Sequence, residues 1–144
     1  TFVEKYDFED GYNLIKAIKK NISKKNGIIV PPYIFNLRGT LKDHYLFFLE
    51  HPDGNWAMGN FKFFKPIHKR MEHLFGFGYE KFPNKQSGLN TSFMRQEYLK
   101  LSEEKLIKIN NEYPNYNYFV TEKTHVLDLN IIYEDNSFII YRIK

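Results

Sequence analysis

Four side chains have the chemistry to recognise a ligand: Arg38, Asp53, Trp56 and Arg70. Arginine offers a planar fork of donors that matches phosphate or carboxylate, aspartate accepts from hydroxyls, and the flat face of tryptophan receives a sugar ring. These types suit a sugar or a lipid-linked sugar phosphate. In an open α/β sheet, ligands bind outside the carboxyl ends of the strands, where loops diverge and helix N-termini converge. That rule selects residues 31–38, 51–56 and 121–123, which include Arg38, Asp53 and Trp56. Simpler roles compete with this one. "PDGN" is ordinary turn chemistry, a local carboxylate satisfies Arg38, and Arg70, at the flank of an apolar stripe where an ion pair can form, and Arg95, in the loop, read as solvated side chains before phosphate contacts.

An enzyme reading places Arg38, His44 and Asp53 in a small soluble transferase or hydrolase at the strand ends, and it requires the three to converge within hydrogen-bond reach of a substrate. No GxSxG elbow occurs, and a chain without cysteine has no thiol nucleophile, no thiolate zinc site and no disulfide. Of the five histidines, His68 shares a helix face with Glu72, but His73 lies five residues on and no HExxH pattern is present, so no metal site is expected. His44 and His125 each precede a strand and read as turn residues. "GFG" at 76–78 follows a helix and is too short for a dinucleotide fingerprint, so no cofactor is expected. "NIS" at 21–23 and "NTS" at 90–92 match the N-glycosylation pattern, a match common by chance in an Asn-rich chain.

The elements that must position these residues follow from hydrophobic spacing. Residues 8–26 read as a helix, with Leu14, Ile15, Ile18 and Ile22 on one face and Lys16, Lys19, Lys20 and Lys24 on the other. "GIIVPPY" gives a short strand apolar on both faces, expected at the centre of the sheet over 28–33, with 32–40 crossing its carboxyl end and setting Arg38 at the rim of a crevice. "HYLFFLE" is a second strand, 62–75 a helix ended by Gly76 and Gly78, and 78–92 a long surface loop. Ser102 caps a further helix carrying Leu106, Ile109 and Tyr113, with a turn beginning near Gln96. "YNYFVTE", "HVLDLNIIYE" and "SFIIYRIK" are strands, the last two joined at Asp135 and Asn136 as a hairpin. The expected fold is α/β: a layered, mostly parallel sheet with flanking helices, ending in an antiparallel β-hairpin, in one domain over residues 1–144.

Composition narrows the partners. The chain has 14 Phe and 11 Tyr, so its core is built from rings, and many hydroxyls need a partner or water. Only four of the 21 basic residues are Arg and the Lys are spread widely, which disfavours nucleic-acid binding and fits a mildly basic surface near anionic lipid headgroups. No apolar run reaches the length needed to span a bilayer, and the first residues lack a signal-peptide layout. Because the chain opens on Thr1, it is expected to be a piece of a longer or processed protein.

A Lys-rich helix, then "IIVPP", an Arg after a short gap, a second apolar strand, the helix "HKRMEHLFG" and the ending "NYFVTE" to "LDLNIIYEDNSFIIYRI" together resemble one kind of tail domain. It is the soluble C-terminal domain of bacterial multi-pass membrane proteins of unknown function, similar in layout to membrane-embedded glycosyltransferases that use lipid-linked sugars. The resemblance covers about residues 12–143. It implies a domain on the extracytoplasmic face of the bacterial cell membrane, close to the bilayer, with its own transmembrane portion preceding it. It also implies that catalytic carboxylates lie elsewhere, and that this chain recognises a glycan or lipid-linked sugar or serves as a scaffold. The family helix often carries a Trp shortly before the Arg that Arg70 matches. Here "FKPIHK" has none, and the one Trp is Trp56.

Overall fold

The computed structural model describes residues 8–34, 37, 41, 43–47, 69–70, 72–77 and 87–144. They comprise helix α1 (Phe8–Asn21), strands β1 (Gly27–Ile29) and β2 (Tyr45–Leu46), helices α2 (Ser87–Tyr98) and α3 (Glu103–Glu112), and strands β3 (Tyr116–Glu122), β4 (Asn130–Glu134) and β5 (Phe138–Arg142). Residues 69–70 and 72–75 are also helical. The strands form one sheet in the order β2-β1-β3-β5-β4.

Helices cover both faces of this sheet. On one, Leu14 and Ile18 of α1 and Ile22 just after it pack against Ile28, Leu46, Val120, Phe138 and Ile140. On the other, Leu74, Tyr98, Leu106 and Ile109 pack against Ile29, Phe119, Ile139 and Tyr141. Alternation along β5, with Ile139 and Tyr141 to one side and Phe138 and Ile140 to the other, shows why its continuous apolar run is needed. Each such fully buried Ile or Phe contributes roughly 1.5–3 kcal/mol relative to exposure.

The fold is α/β, but the sheet is mixed. β1 pairs parallel with β2 and β3, while β5 pairs antiparallel with β3 and β4, and the antiparallel ladders are the longer ones. The expectation of a mostly parallel sheet fails because a run buried on both faces reports burial and not direction. The terminal hairpin is present, closed by Asp135, whose Oδ1 accepts from the backbone N–H groups of Ser137 and Phe138. Its return strand β5 inserts beside β3 and leaves β4 at the edge.

That insertion constrains residues 123–129. β3 and β4 run the same way with β5 between them, so the connection must travel back from Glu122 to a level where Asn130 and Tyr118 both oppose Arg142. Seven extended residues reach about 23 Å, ample for a return of roughly 13 Å. No helix is required. Leu127 and Leu129 instead pack on the face that α2 and α3 cover. The expected strand over 125–134 therefore begins only at Asn130.

Three further boundaries differ from the spacing-based reading: the strand expected over 28–33 is β1, Gly27–Ile29, with residues 30–33 outside it, and two helices differ as well. α1 ends at Asn21, whose side-chain amide turns back to donate to Ala17 O at 2.8 Å, and residues 22–26 form the turn into β1. Residues 87–92, expected in a surface loop, belong to α2. Gly88, Asn90, Thr91 and Ser92 are weak helix formers, and the anchors of this helix, Arg95 and Tyr98, lie in its last turns. α3 starts as expected: Ser102 accepts from Lys105 N, and Glu103 and Glu104 occupy the first turn.

A β-bulge lies where β1 meets β3, since Gly27 opposes Tyr116 while Ile28 already opposes Tyr118. The extra residue turns Tyr116 to the α3 face and Tyr118 to the α1 face. Asn110 holds the irregularity, its amide donating to Tyr116 O at 2.8 Å and Asn117 Oδ1 at 2.9 Å. Gly27 makes room for it: a Cβ there would sit 2.6 Å from Cδ1 and 2.8 Å from Cγ of the Tyr116 ring. That ring packs edge-on against Phe47 and Tyr113, which resist its displacement. Gly27→Ala is expected to cost about 1–3 kcal/mol of unfolding free energy in urea denaturation, and a neutral outcome would show that the Tyr116 ring can move.

Candidate functional site

Of the four ligand-binding candidates, Arg38, Asp53 and Trp56 lie outside the described residues, and Arg70 lies within them. The carboxyl ends of β1 and β3, where the strand-end rule placed the crevice, are occupied by an interlocked polar network. Glu122, 5% exposed, accepts from Tyr33 Oη at 2.8 Å and from Arg95 through a two-bonded fork, with Nε and Nη2 each at 2.8 Å. A buried carboxylate is tolerated only when paired and hydrogen-bonded, and the guanidinium fork supplies both. Arg95 is thus neither a loop residue nor a solvated one: it belongs to α2 and ties that helix to the end of β3.

Neighbouring groups are committed in the same way. The Tyr98 hydroxyl donates to Val120 O and lies near Ile29 O, joining the adjacent strands β3 and β1. Burial, and then the nearby Tyr33, push its pKa well above the usual tyrosine value, so it remains a neutral donor. His125 is buried on the return segment, with Nε2 2.8 Å from Leu101 O and Nδ1 2.9 Å from Thr121 Oγ1. A carbonyl only accepts, so Nε2 carries the proton and Nδ1 accepts from the threonine hydroxyl. Tyr141 Oη bridges the same segment, donating to His125 O at 3.0 Å while it accepts from Leu127 N at 3.0 Å.

At the opposite, amino end of β2 and β3 there is an open cleft of about 380 Å³ lined by Tyr45, Arg70, Glu112, Tyr113, Asn115 and Tyr116. Arg70, on the helical segment before Gly76, donates from Nη1 to Phe47 O at 3.1 Å. Its guanidinium lies 5.4–5.6 Å from the centroids of the Phe47, Tyr113 and Tyr116 rings. Tyr45 contributes a ring that is 57% exposed. Glu112 connects the cleft to a smaller one of about 170 Å³ that Glu72, His73, Lys105 and Lys108 also line. Within it, His73 Nδ1 lies 2.9 Å from Tyr113 Oη and 3.3 Å from Glu112 Oε2. The arrangement supplies flat apolar faces and planar polar groups around one opening, which is what a sugar ring with its hydroxyls requires.

Sequence reasoning found Arg70 but not its surroundings. Tyr113, expected in the buried stripe of α3, is the C-cap residue of that helix and half-buried against Arg70. Tyr45, Glu112 and Asn115 carried no signal, because only the parallel pairing of β1 with β2 and β3 brings 45 and 116 to one end of the sheet. His44 sits at that same amino end, buried, with Nε2 3.3 Å from Ile22 O and Nδ1 the one buried side-chain polar atom without a hydrogen-bond partner among the described residues. It therefore does not stand at the strand carboxyl ends, where the enzyme reading needed it. Among the described residues no three His, Asp or Glu side chains are grouped to hold a metal ion, and no helix is long and apolar enough to cross a membrane. No family model, curated protein or solved structure matches this chain.

Removing one member of the Glu122 cluster strands the others. Glu122→Ala is expected to cost roughly 3 kcal/mol and Tyr33→Phe about 1 kcal/mol. In chemical denaturation, Glu122→Ala combined with Arg95→Ala should lose less than the sum of the singles, and strict additivity would refute the coupling.

Burial is the main cause that holds the His125 imidazole below its usual value of 6.5, with the Leu101 carbonyl and the Glu103 and Glu122 carboxylates opposing it. The unfolded chain then binds more protons below that pH, so this contribution to stability is complete above about pH 6.5 and is lost as pH falls toward the depressed folded pKa. Between about pH 7.5 and about pH 5 the urea midpoint of the native chain should fall further than that of His125→Gln. Equal falls would show that His125 is not the titrating group.

Proposed function

We propose that this chain is a non-catalytic recognition domain of a bacterial membrane protein, placed close to the bilayer on its extracytoplasmic face, and that it binds a glycan or the sugar portion of a lipid-linked sugar. The observation that carries the reading is the cleft at Arg70. Tyr45 provides an exposed ring there beside the half-buried Tyr113, and Arg70, Glu112 and Asn115 provide donors and acceptors. Sugars present an apolar C–H face and a rim of hydroxyls, and this lining answers both. The absence of catalysis is supported by commitment: Glu122, Arg95, Tyr33, Tyr98, Thr121 and His125, the polar groups described at the strand ends, bond one another or the backbone. The placement at the membrane is supported by the resemblance to membrane-protein tail domains, and the coding sequence upstream of Thr1 tests it. Repeated apolar runs of spanning length are expected there.

The binding assignment is tested by titrating the chain with a panel of neutral and anionic oligosaccharides while following its amide NMR resonances. Shifts are expected at Tyr45, Glu112, Asn115 and Tyr116. Tyr45→Ala, at a half-exposed position that contributes little to the core, should weaken binding up to about tenfold, the worth of one stacked ring. Loss of affinity without loss of stability supports the reading. Shifts confined to other surfaces, or none with any member of the panel, would overturn it.

A further inference from the structure

On the face of the sheet away from the Arg70 cleft, α1 exposes a continuous row of lysines. Lys16, Lys19 and Lys20 are exposed on the helix, at the i, i+3 and i+4 spacing that sets side chains along one stripe, and Lys24 and Lys25 extend the row past its end. Residues 11–26 contain five Lys and no Asp or Glu, whereas the whole chain carries a net charge of +4, so the remaining residues together are one charge negative. Glu9 and Asp10 belong to the first turn of the same helix, so its positive charge is concentrated from Lys16 onward. Among the described ion pairs, the one that reaches the row is Asp43, 3.6 Å from Lys24 in a solvent-exposed pair of little strength. Leu14, Ala17, Ile18 and Ile22 are buried against the sheet, so α1 cannot turn its apolar side outward, and contact through this face is electrostatic.

We infer that the lysine face of α1 docks on the surface of an anionic phospholipid bilayer. Two features select this partner over a nucleic acid. The row contains lysines alone, flexible point charges suited to a diffuse negative surface, without the arginine forks that grip individual phosphates. Beside it, Tyr12 is 53% exposed, with Lys16 Nζ 5.3 Å from its ring centroid. An exposed tyrosine flanked by lysine is the pairing that settles at the headgroup level of a membrane. The inference uses a different face from the glycan cleft and stands or falls independently of it.

The test is co-sedimentation of the full chain with vesicles of phosphatidylcholine alone and of phosphatidylcholine with about one quarter phosphatidylglycerol, at about 0.05 M and about 0.5 M salt. Binding is expected to the anionic vesicles at low salt only. Near such a surface each lysine is worth about a fivefold change in partitioning, so replacing Lys16, Lys19 and Lys20 by Gln should reduce it about a hundredfold. Circular dichroism checks that the fold is kept. Replacing Lys100, Lys105 and Lys108 by Gln removes the same charge from the other face and should leave partitioning nearly unchanged. No binding by the native chain overturns the inference, as does an equal loss in both triple variants, which would mark a net-charge effect. Retention of a DNA duplex in place of vesicles, with the same lysine dependence, would also overturn it.

Discussion

A carboxylate buried at the end of the longest strand is the constraint around which the described fold is arranged. Glu122 closes β3, and its charge cannot remain under the helices without compensation. Arg95 brings α2 to it, and Tyr33 brings the turn that follows β1. One side chain thus fixes the relative position of a helix, two strands and a double-proline turn, although the first residues of that helix have poor intrinsic propensity. A buried ion pair of this kind adds little net stability compared with a well-packed apolar replacement, and its merit is that few other arrangements satisfy it.

The neighbouring return segment depends on the same economy of partners. A stretch that crosses the sheet outside any ladder leaves its backbone groups unpaired, and buried backbone groups demand partners. Here side chains provide them: Tyr141 serves His125 O and Leu127 N, and Glu103 accepts from Asp128 N. His125 ties the segment to the start of α3 through Leu101 O and to β3 through Thr121. Buried tyrosines are abundant because each delivers a large apolar area together with a hydroxyl that can reach such an orphaned group.

Legibility in the sequence followed the range of the interaction involved. β3, the capped start of α3 and the Asp135 turn were readable, since each is set by residues within a few positions: a run of β-formers, Ser102 with two glutamates, an Asp whose side chain accepts two amides. The start of α2 was not, because Arg95 and Tyr98 reach partners 27 and 22 residues away. Strand direction was also hidden, since "GIIV" and "FIIY" are equally apolar although one pairs in parallel and the other in antiparallel fashion. For the candidate site, Arg70 was visible by residue type, while the rings that surround it come from positions 45, 47, 113 and 116 and needed the tertiary fold.

The described carboxyl ends are filled, and the cleft at Arg70 lies at the other end of the sheet, contrary to the strand-end rule. The rule rests on loops that diverge and on helix N-termini that converge after parallel strands. In this sheet only β1, β2 and β3 are hydrogen-bonded parallel neighbours, and β5 lies antiparallel between β3 and β4, so the ladder offers such a convergence over part of its width. At the amino end, the bulge turns Tyr116 toward α3, the helix terminates at Tyr113, and the short β2 leaves Tyr45 uncovered. The same irregularity that Gly27 permits and Asn110 holds is therefore what gathers aromatic faces around Arg70. Packing at the bulge and the chemistry of the cleft are two consequences of one local geometry.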